Sequence, residues 1–192
     1  MSQANTHLTV RSLLRASTPF LRITGLGPVS WRREMKAGDP RIGPWSASIH
    51  EVLDHDAWTR NGECLYFLTD AAGLLRYVGE SKNRLPDRRR TPPAICATTG
   101  SDLGNAFVFH NRAWPPLERA LKADHGLAPF RVSVIHADEL RRVAESMPEL
   151  AALLSAVREG RHLARVVQDW ICRQPAMQAD LWNVAGTIGV RR

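Results

Sequence analysis

Tyr66 and Tyr77 stand eleven residues apart, and six positive charges fall between Arg76 and Arg90. Two phenols beside a run of guanidinium groups suit phosphate chemistry. Arginine's planar fork matches phosphoryl oxygens, and nearby cations ease deprotonation of a phenol, whose pKa otherwise lies near ~10. Hydrolysing a phosphodiester asks for an activated water, charge relief on the phosphoryl oxygens and help for the leaving oxygen. The plainer reading of such a tyrosine pair is cross-strand packing, and of such arginines a solvated helix face.

The elements that would position these groups follow from the local pattern. Cys64 to Thr69 and Leu74 to Gly79 are β-rich runs around Asp70-Ala-Ala-Gly73, which predicts a hairpin whose strands place both tyrosines on one face. Asn83 as cap and Pro86 in the first turn predict a short basic helix directly after it. Residues 91 to 105 hold Pro92, Pro93, Gly100 and Gly104 and are expected as a loop, with a brief strand over 107 to 110. A helix is expected to start at Asn111 or at the Pro115-Pro116 pair and to run to about Asp124, closed by Gly126, and a third strand over Phe130 to Ile135. From Pro148 an apolar stripe through Leu150, Leu153, Val157, Leu163, Val167 and Ile171 predicts the longest helical stretch, with Gly160 as a break and Pro175 as its stop. Leu181 to Gly186 reads as a docked closing segment.

Before the hairpin the pattern is weaker. Ser48 to Trp58 reads as a helix with Ile49, Val52, Leu53 and Trp58 facing inward. Residues 1 to 47 are expected as a basic N-terminal extension, and 48 to 192 as the domain proper. In the extension Leu8 to Leu14 suits a short helix and Phe20 to Ile23 a strand. Trp31 and Trp45 there serve either as stacking residues on a nucleic acid or as packing on the domain.

The chain has 192 residues, 44% of them hydrophobic, enough to bury a sizeable core. Its formal charge is +7, and of 26 basic residues only Lys36, Lys82 and Lys122 are lysines, leaving 23 arginines. That balance favours an anionic partner, nucleic acid first. Cys64, Cys96 and Cys172 lack the paired spacing of a zinc site and are expected as reduced thiols. No leader-like or membrane-spanning run appears, so a cytoplasmic protein without a membrane partner is expected.

Cys64-Leu-Tyr66 and Tyr77-Val-Gly79 resemble the paired signature of the GIY-YIG nuclease family, with Cys64 in place of the first glycine. The likeness continues through Leu85-x-x-Arg88, His110-Asn111, Leu117-x-x-Ala120, Gly126, Phe130-x-Val-x-Val and Trp182-Asn183, so it covers about residues 62 to 187. It implies an α+β domain with a small three-stranded antiparallel sheet flanked by helices. It implies an endonuclease that hydrolyses DNA with Mg²⁺ or Mn²⁺, RNA remaining open as a substrate.

The resemblance gives Tyr66 or Tyr77 the task of orienting or deprotonating water, Arg88 the scissile phosphate, His110 proton transfer and Asn183 the holding of the site. Gly79, Lys82, Arg84, Arg89 and Arg90 would line the nucleic acid, with Arg84 the alternative to Arg88. The family's metal-binding glutamate falls at Val167 or Gln168, and neither is a carboxylate. The alternative function is therefore a nucleic-acid-binding module of the same fold that has lost cleavage.

Overall fold

The computed structural model describes residues 3–32, 44–82, 85, 94–103, 113–123, 126–155 and 162–183. Six strands form one sheet, antiparallel throughout: β1 (Thr18–Arg32), β2 (Trp45–Val52), β3 (Cys64–Thr69), β4 (Leu75–Ser81), β5 (Ala94–Cys96) and β6 (Phe130–His136). The order is β2-β1-β6-β3-β4, and β5 pairs with the far end of β1. The helices are α1 (Gln3–Ala16), α2 (His55–Thr59), α3 (Trp114–Ala123), α4 (Ala137–Glu145), α5 (Pro148–Ser155), α6 (Leu163–Arg173) and α7 (Pro175–Gln178).

The sheet is covered on both faces. β3 explains why: Cys64 to Leu68 are all buried, an unbroken apolar run in place of the alternation that a half-wet strand shows. Tyr66 and Leu68 point to one face, where they meet Tyr77, Phe130, Val132, Val134, Trp58 of α2 and Trp114 and Leu117 of α3. Leu65 and Phe67 point to the other, against Val78, Ile135, Val10 and Leu13 of α1, Leu140 of α4 and Leu163, Val167 and Ile171 of α6.

The hairpin forms as its sequence predicts. Gly73 has φ +78°, its N–H donates to Asp70 O at 2.9 Å, and Asp70 Oδ1 accepts from the Leu74 N–H at 2.9 Å. Asp70 Oδ2 accepts from Arg76 Nε at 2.8 Å, and Arg76 Nη1 reaches Asp180 at 3.4 Å. Arg76 is therefore held by internal carboxylates, which removes one of the six charges from the set open to a ligand.

Several expectations change. The sheet has six strands where three were expected; β3, β4 and β6 are those three, contiguous as β6-β3-β4, and β1, β2 and β5 widen them. Ser48 to Trp58 is not one helix: β2 runs to Val52, and only His55–Thr59 is helical, capped by Asp54 through the Ala57 N–H. Ser46 and Ser48 face inward in the strand's two-residue alternation, and Ile49 is 53% exposed. Both serines are small enough to sit under neighbouring elements, and Ser46 Oγ donates to Glu118 of α3 at 2.8 Å.

Of the residues read as an extension, the described ones form α1, β1 and the start of β2. β1 sits between β2 and β6 and contributes Phe20, Leu21 and Ile23 to the core, and β2 spans the boundary expected at 47. Trp31, on β1, is 40% exposed. The expected loop contains β5, and the helix α4 was not foreseen. α6 ends at Arg173 with Gln174 as its cap, so the helical stretch stops before Pro175 as expected, and Pro175 itself occupies the first turn of α7. The basic helix after the hairpin, the strand over 107 to 110 and the break at Gly160 lie outside the described residues. No disulfide links the three cysteines, and burial pushes the Cys172 thiol up to about 11.

Candidate nucleic-acid interface

The two tyrosines meet. In register Tyr66 stands opposite Gly79 on β4 and Val134 on β6, while Tyr77 stands opposite Leu68, so the phenols are diagonal neighbours on one face. Their ring centroids are 6.2 Å apart with planes 28° from parallel. Both are buried, at 2% and 3% exposure. Gly79 is required by the same packing, because a Cβ at that position would overlap the Tyr66 ring at Cζ, Oη and Cε2.

β4 is an edge strand whose outer N–H and C=O groups need partners. The closing segment provides them. The Trp182 N–H donates to Arg76 O at 2.6 Å, Asn183 Oδ1 accepts from the Val78 N–H at 2.9 Å, and Asn183 Nδ2 donates to Val78 O at 2.7 Å. Trp182 packs on Phe130 with ring centroids 5.7 Å apart. Asn183 thus reproduces the two bonds that a neighbouring strand would make, directly beside Gly79.

Gln168 converges on the same point from α6, its Nε2 donating to Val78 O at 3.0 Å. Val167, the other residue in register with the family's glutamate, is buried in the opposite core. The residues at this position do not fit a divalent cation: one is aliphatic, and the other turns an amide donor onto a carbonyl. Among the described residues no group of three or more His, Cys, Asp or Glu side chains could hold a metal ion. Asp169, which follows Gln168 on α6, has its carboxyl raised first by burial and also by Glu80 of β4, against the pull of Arg165 and Arg173.

Of the sequence-predicted site residues, Tyr66, Tyr77, Gly79 and Asn183 come together around Val78 and Gly79. Lys82 is exposed just past the end of β4. Arg84, Arg88, Arg89, Arg90 and His110 lie outside the described residues. Leu85 is fully buried in the cluster that holds both tyrosines.

Two positions were missed by sequence reasoning. The role of Gln168 left a trace, since its register had already set it beside the motif. His136 left none: it pairs with Cys64 at the end of β6, one step along the tyrosine face from the Val134–Tyr66 pair, and is 4% exposed. Burial, then Arg60, lowers its pKa against the opposing pull of Glu139 and Asp138. Comparison of the chain with protein-family models, curated proteins and solved structures gives no match.

Proposed function

We propose that this chain is a GIY-YIG-like module that binds nucleic-acid phosphates, DNA being the first partner to test, and that it does not cut them by the family's metal route. The reading is carried by the meeting of Tyr66, Tyr77, Gly79 and Asn183, four positions of the resemblance drawn from separate parts of the chain, at one stretch of an edge strand. The formal charge of +7 supplies the long-range attraction. In this reading Lys82, Arg84, Arg88, Arg89 and Arg90 contact phosphate. Gln168 supports the second half of the proposal, because its amide braces α6 against Val78 where the family places a carboxylate.

A second reading, metal-dependent cleavage, is favoured by one observation: the Glu80 carboxylate of β4 lies close enough to Asp169 of α6 to add to the upward shift of its carboxyl. One set of assays separates the two. Plasmid and oligonucleotide DNA, with RNA of matching sequence, are incubated with the full chain and Mg²⁺ or Mn²⁺, and binding is followed across a salt series. Binding should weaken steeply between about 50 and 200 mM salt, and Arg88→Ala should lower the log–log slope by about one. No cleavage is expected. An affinity indifferent to salt rejects nucleic-acid binding, and cleavage by the wild type that Asp169→Asn removes establishes the second reading instead.

A further inference from the structure

Across the sheet from the tyrosines, at the hairpin end, three strands set a row of polar side chains beside a hollow of about 140 Å³. Arg22 of β1 stands opposite Arg131 of β6, and Arg131 stands opposite Thr69 of β3. Their chain neighbours Leu21, Ile23, Phe130, Val132 and Leu68 belong to the tyrosine core, so strand alternation turns Arg22, Arg131 and Thr69 to the other face. All three line the hollow, together with residues of the hairpin turn.

Two guanidinium groups directly opposite each other on neighbouring strands repel, and an anion shared between them removes that cost. The row's own carboxylate does not take this place. Glu51 is the partner of Arg22 on its other side, in β2, where the two form an ion pair. Arg131 has no such relief: it is exposed, and among the described residues neither its guanidinium nor the Thr69 hydroxyl has a hydrogen-bond or ion-pair partner. The Arg22 side chain is 44% exposed, with Nη2 on Glu51 and Nε enclosed, which leaves Nη1 for a ligand. Asp70 also lines the hollow, but its oxygens are taken by the Leu74 N–H and by Arg76 and its side chain is 1% exposed, so it presents no repelling carboxylate.

Size and donor set together say what fits. At roughly 30 Å³ for each water's share of liquid volume, the hollow holds about four or five waters. It is well below the roughly 300–1,000 Å³ of sites that take a whole small molecule. A nucleoside is too large, and a single tetrahedral oxyanion fits. Two guanidinium forks and a hydroxyl can all donate, and phosphoryl oxygens accept in that geometry. We infer that the row Arg22, Arg131 and Thr69 is a binding site for one phosphoryl group, with Arg131 its principal contact. It lies on the opposite face from the tyrosines and stands independently of the function proposed above. The group is either free phosphate or the phosphate of a nucleic-acid strand.

The test titrates the full chain with inorganic phosphate, against chloride at matched ionic strength, and follows the Thr69 amide and Arg131 side-chain resonances and the thermal midpoint. Phosphate should bind with a Kd on the order of 1 mM, shift both signals, and at ten times Kd raise the midpoint by about 3–6 °C. Arg131→Gln, at an exposed position, should weaken phosphate about ten-fold and cancel the Thr69 shift, while its phosphate-free midpoint is no lower than that of the wild type because a like-charge pair is gone. Glu51→Gln releases Arg22 from its carboxylate and should tighten phosphate about three-fold, a gain that damage to the fold does not produce. Equal phosphate affinity in the wild type and Arg131→Gln overturns the site, and so does unchanged affinity in Glu51→Gln. An oligonucleotide arm names the source. Arg131→Gln lowers the log–log salt slope by about one where the phosphate belongs to a strand, and leaves it unchanged where the phosphate is free; the site holds in both cases. Absence of DNA binding with phosphate still dependent on Arg131 removes the nucleic-acid reading alone, and salt-dependent DNA binding with no phosphate response at Thr69 removes this site alone.

Discussion

Gly79→Ala is the most direct probe of the tyrosine arrangement. A methyl group at Gly79 overlaps the Tyr66 ring at three atoms. The ring has little room to yield: it is 2% exposed, with the Tyr77 ring centroid 6.2 Å away in β4 and Val134 its partner in β6. Overpacking of a filled core costs about 1–3 kcal/mol. Here the obstacle is a rigid ring held between strands, not the end of a flexible chain, so the upper value applies, about 3 kcal/mol. For a chain of this length each kcal/mol lowers the midpoint by about 2–4 °C, so Gly79→Ala should melt about 6–12 °C below the wild type.

The assay is thermal and urea unfolding of the wild type, Gly79→Ala, Tyr66→Ala and the double variant. Tyr66→Ala is costly by itself because it empties a fully enclosed site, but it removes the ring that the new methyl meets. In that background Gly79→Ala should therefore cost less than about 0.5 kcal/mol, giving a coupling of about 2–3 kcal/mol between the two positions. A penalty of the same size in both backgrounds, or one below about 1 kcal/mol in the wild type, refutes the contact and with it the reason given for glycine at this place.

Two further outcomes follow from the clamp and the buried histidine. Asn183→Ala removes both partners of Val78 from the closing segment, but Gln168 still serves the carbonyl, so the loss falls on the Val78 N–H; stability should drop by about 1–2 kcal/mol and that amide should exchange faster, while unchanged protection counts against the clamp. For His136 the ring takes up its proton in the unfolded chain near its ordinary value of 6.5 and in the folded chain only at lower pH. The unfolded state then binds more protons as the pH falls through and below 6.5, so this ring's contribution to stability is intact above that value and declines beneath it. Urea midpoints should fall more steeply from pH 7.5 to 5, taken here as an approximate working range, in the wild type than in His136→Phe, and parallel curves would contradict the burial of a neutral ring.

The parts of the fold that local chemistry dictates were legible. The hairpin declares itself through two β-rich runs around a turn that needs Gly73 at φ +78°, and β6 through its alternation of apolar residues. The inward stripe of α6 places Val167 and Ile171 in the core as its three- and four-residue spacing predicts. β2 was not legible, because Ile49, Val52 and Leu53 suit a helical spacing as well as a strand. What decides between them is a backbone partner, and the Leu21 to Ser30 stretch of β1 provides it.

The site divides along the same line. The chain's own order of residues determined that two tyrosines on adjacent strands share a face with a glycine after the second, and that many arginines follow, because strand periodicity and charge are local properties. Only the tertiary structure decided that Asn183 and Gln168, 105 and 90 residues from Val78, bond its peptide group together, and that the His136 ring is buried one step along the face from the Val134–Tyr66 pair. The reason is physical: an exposed strand edge and a buried ring are defined by what the rest of the chain brings near them or fails to bring, and no pattern within a short window carries that information.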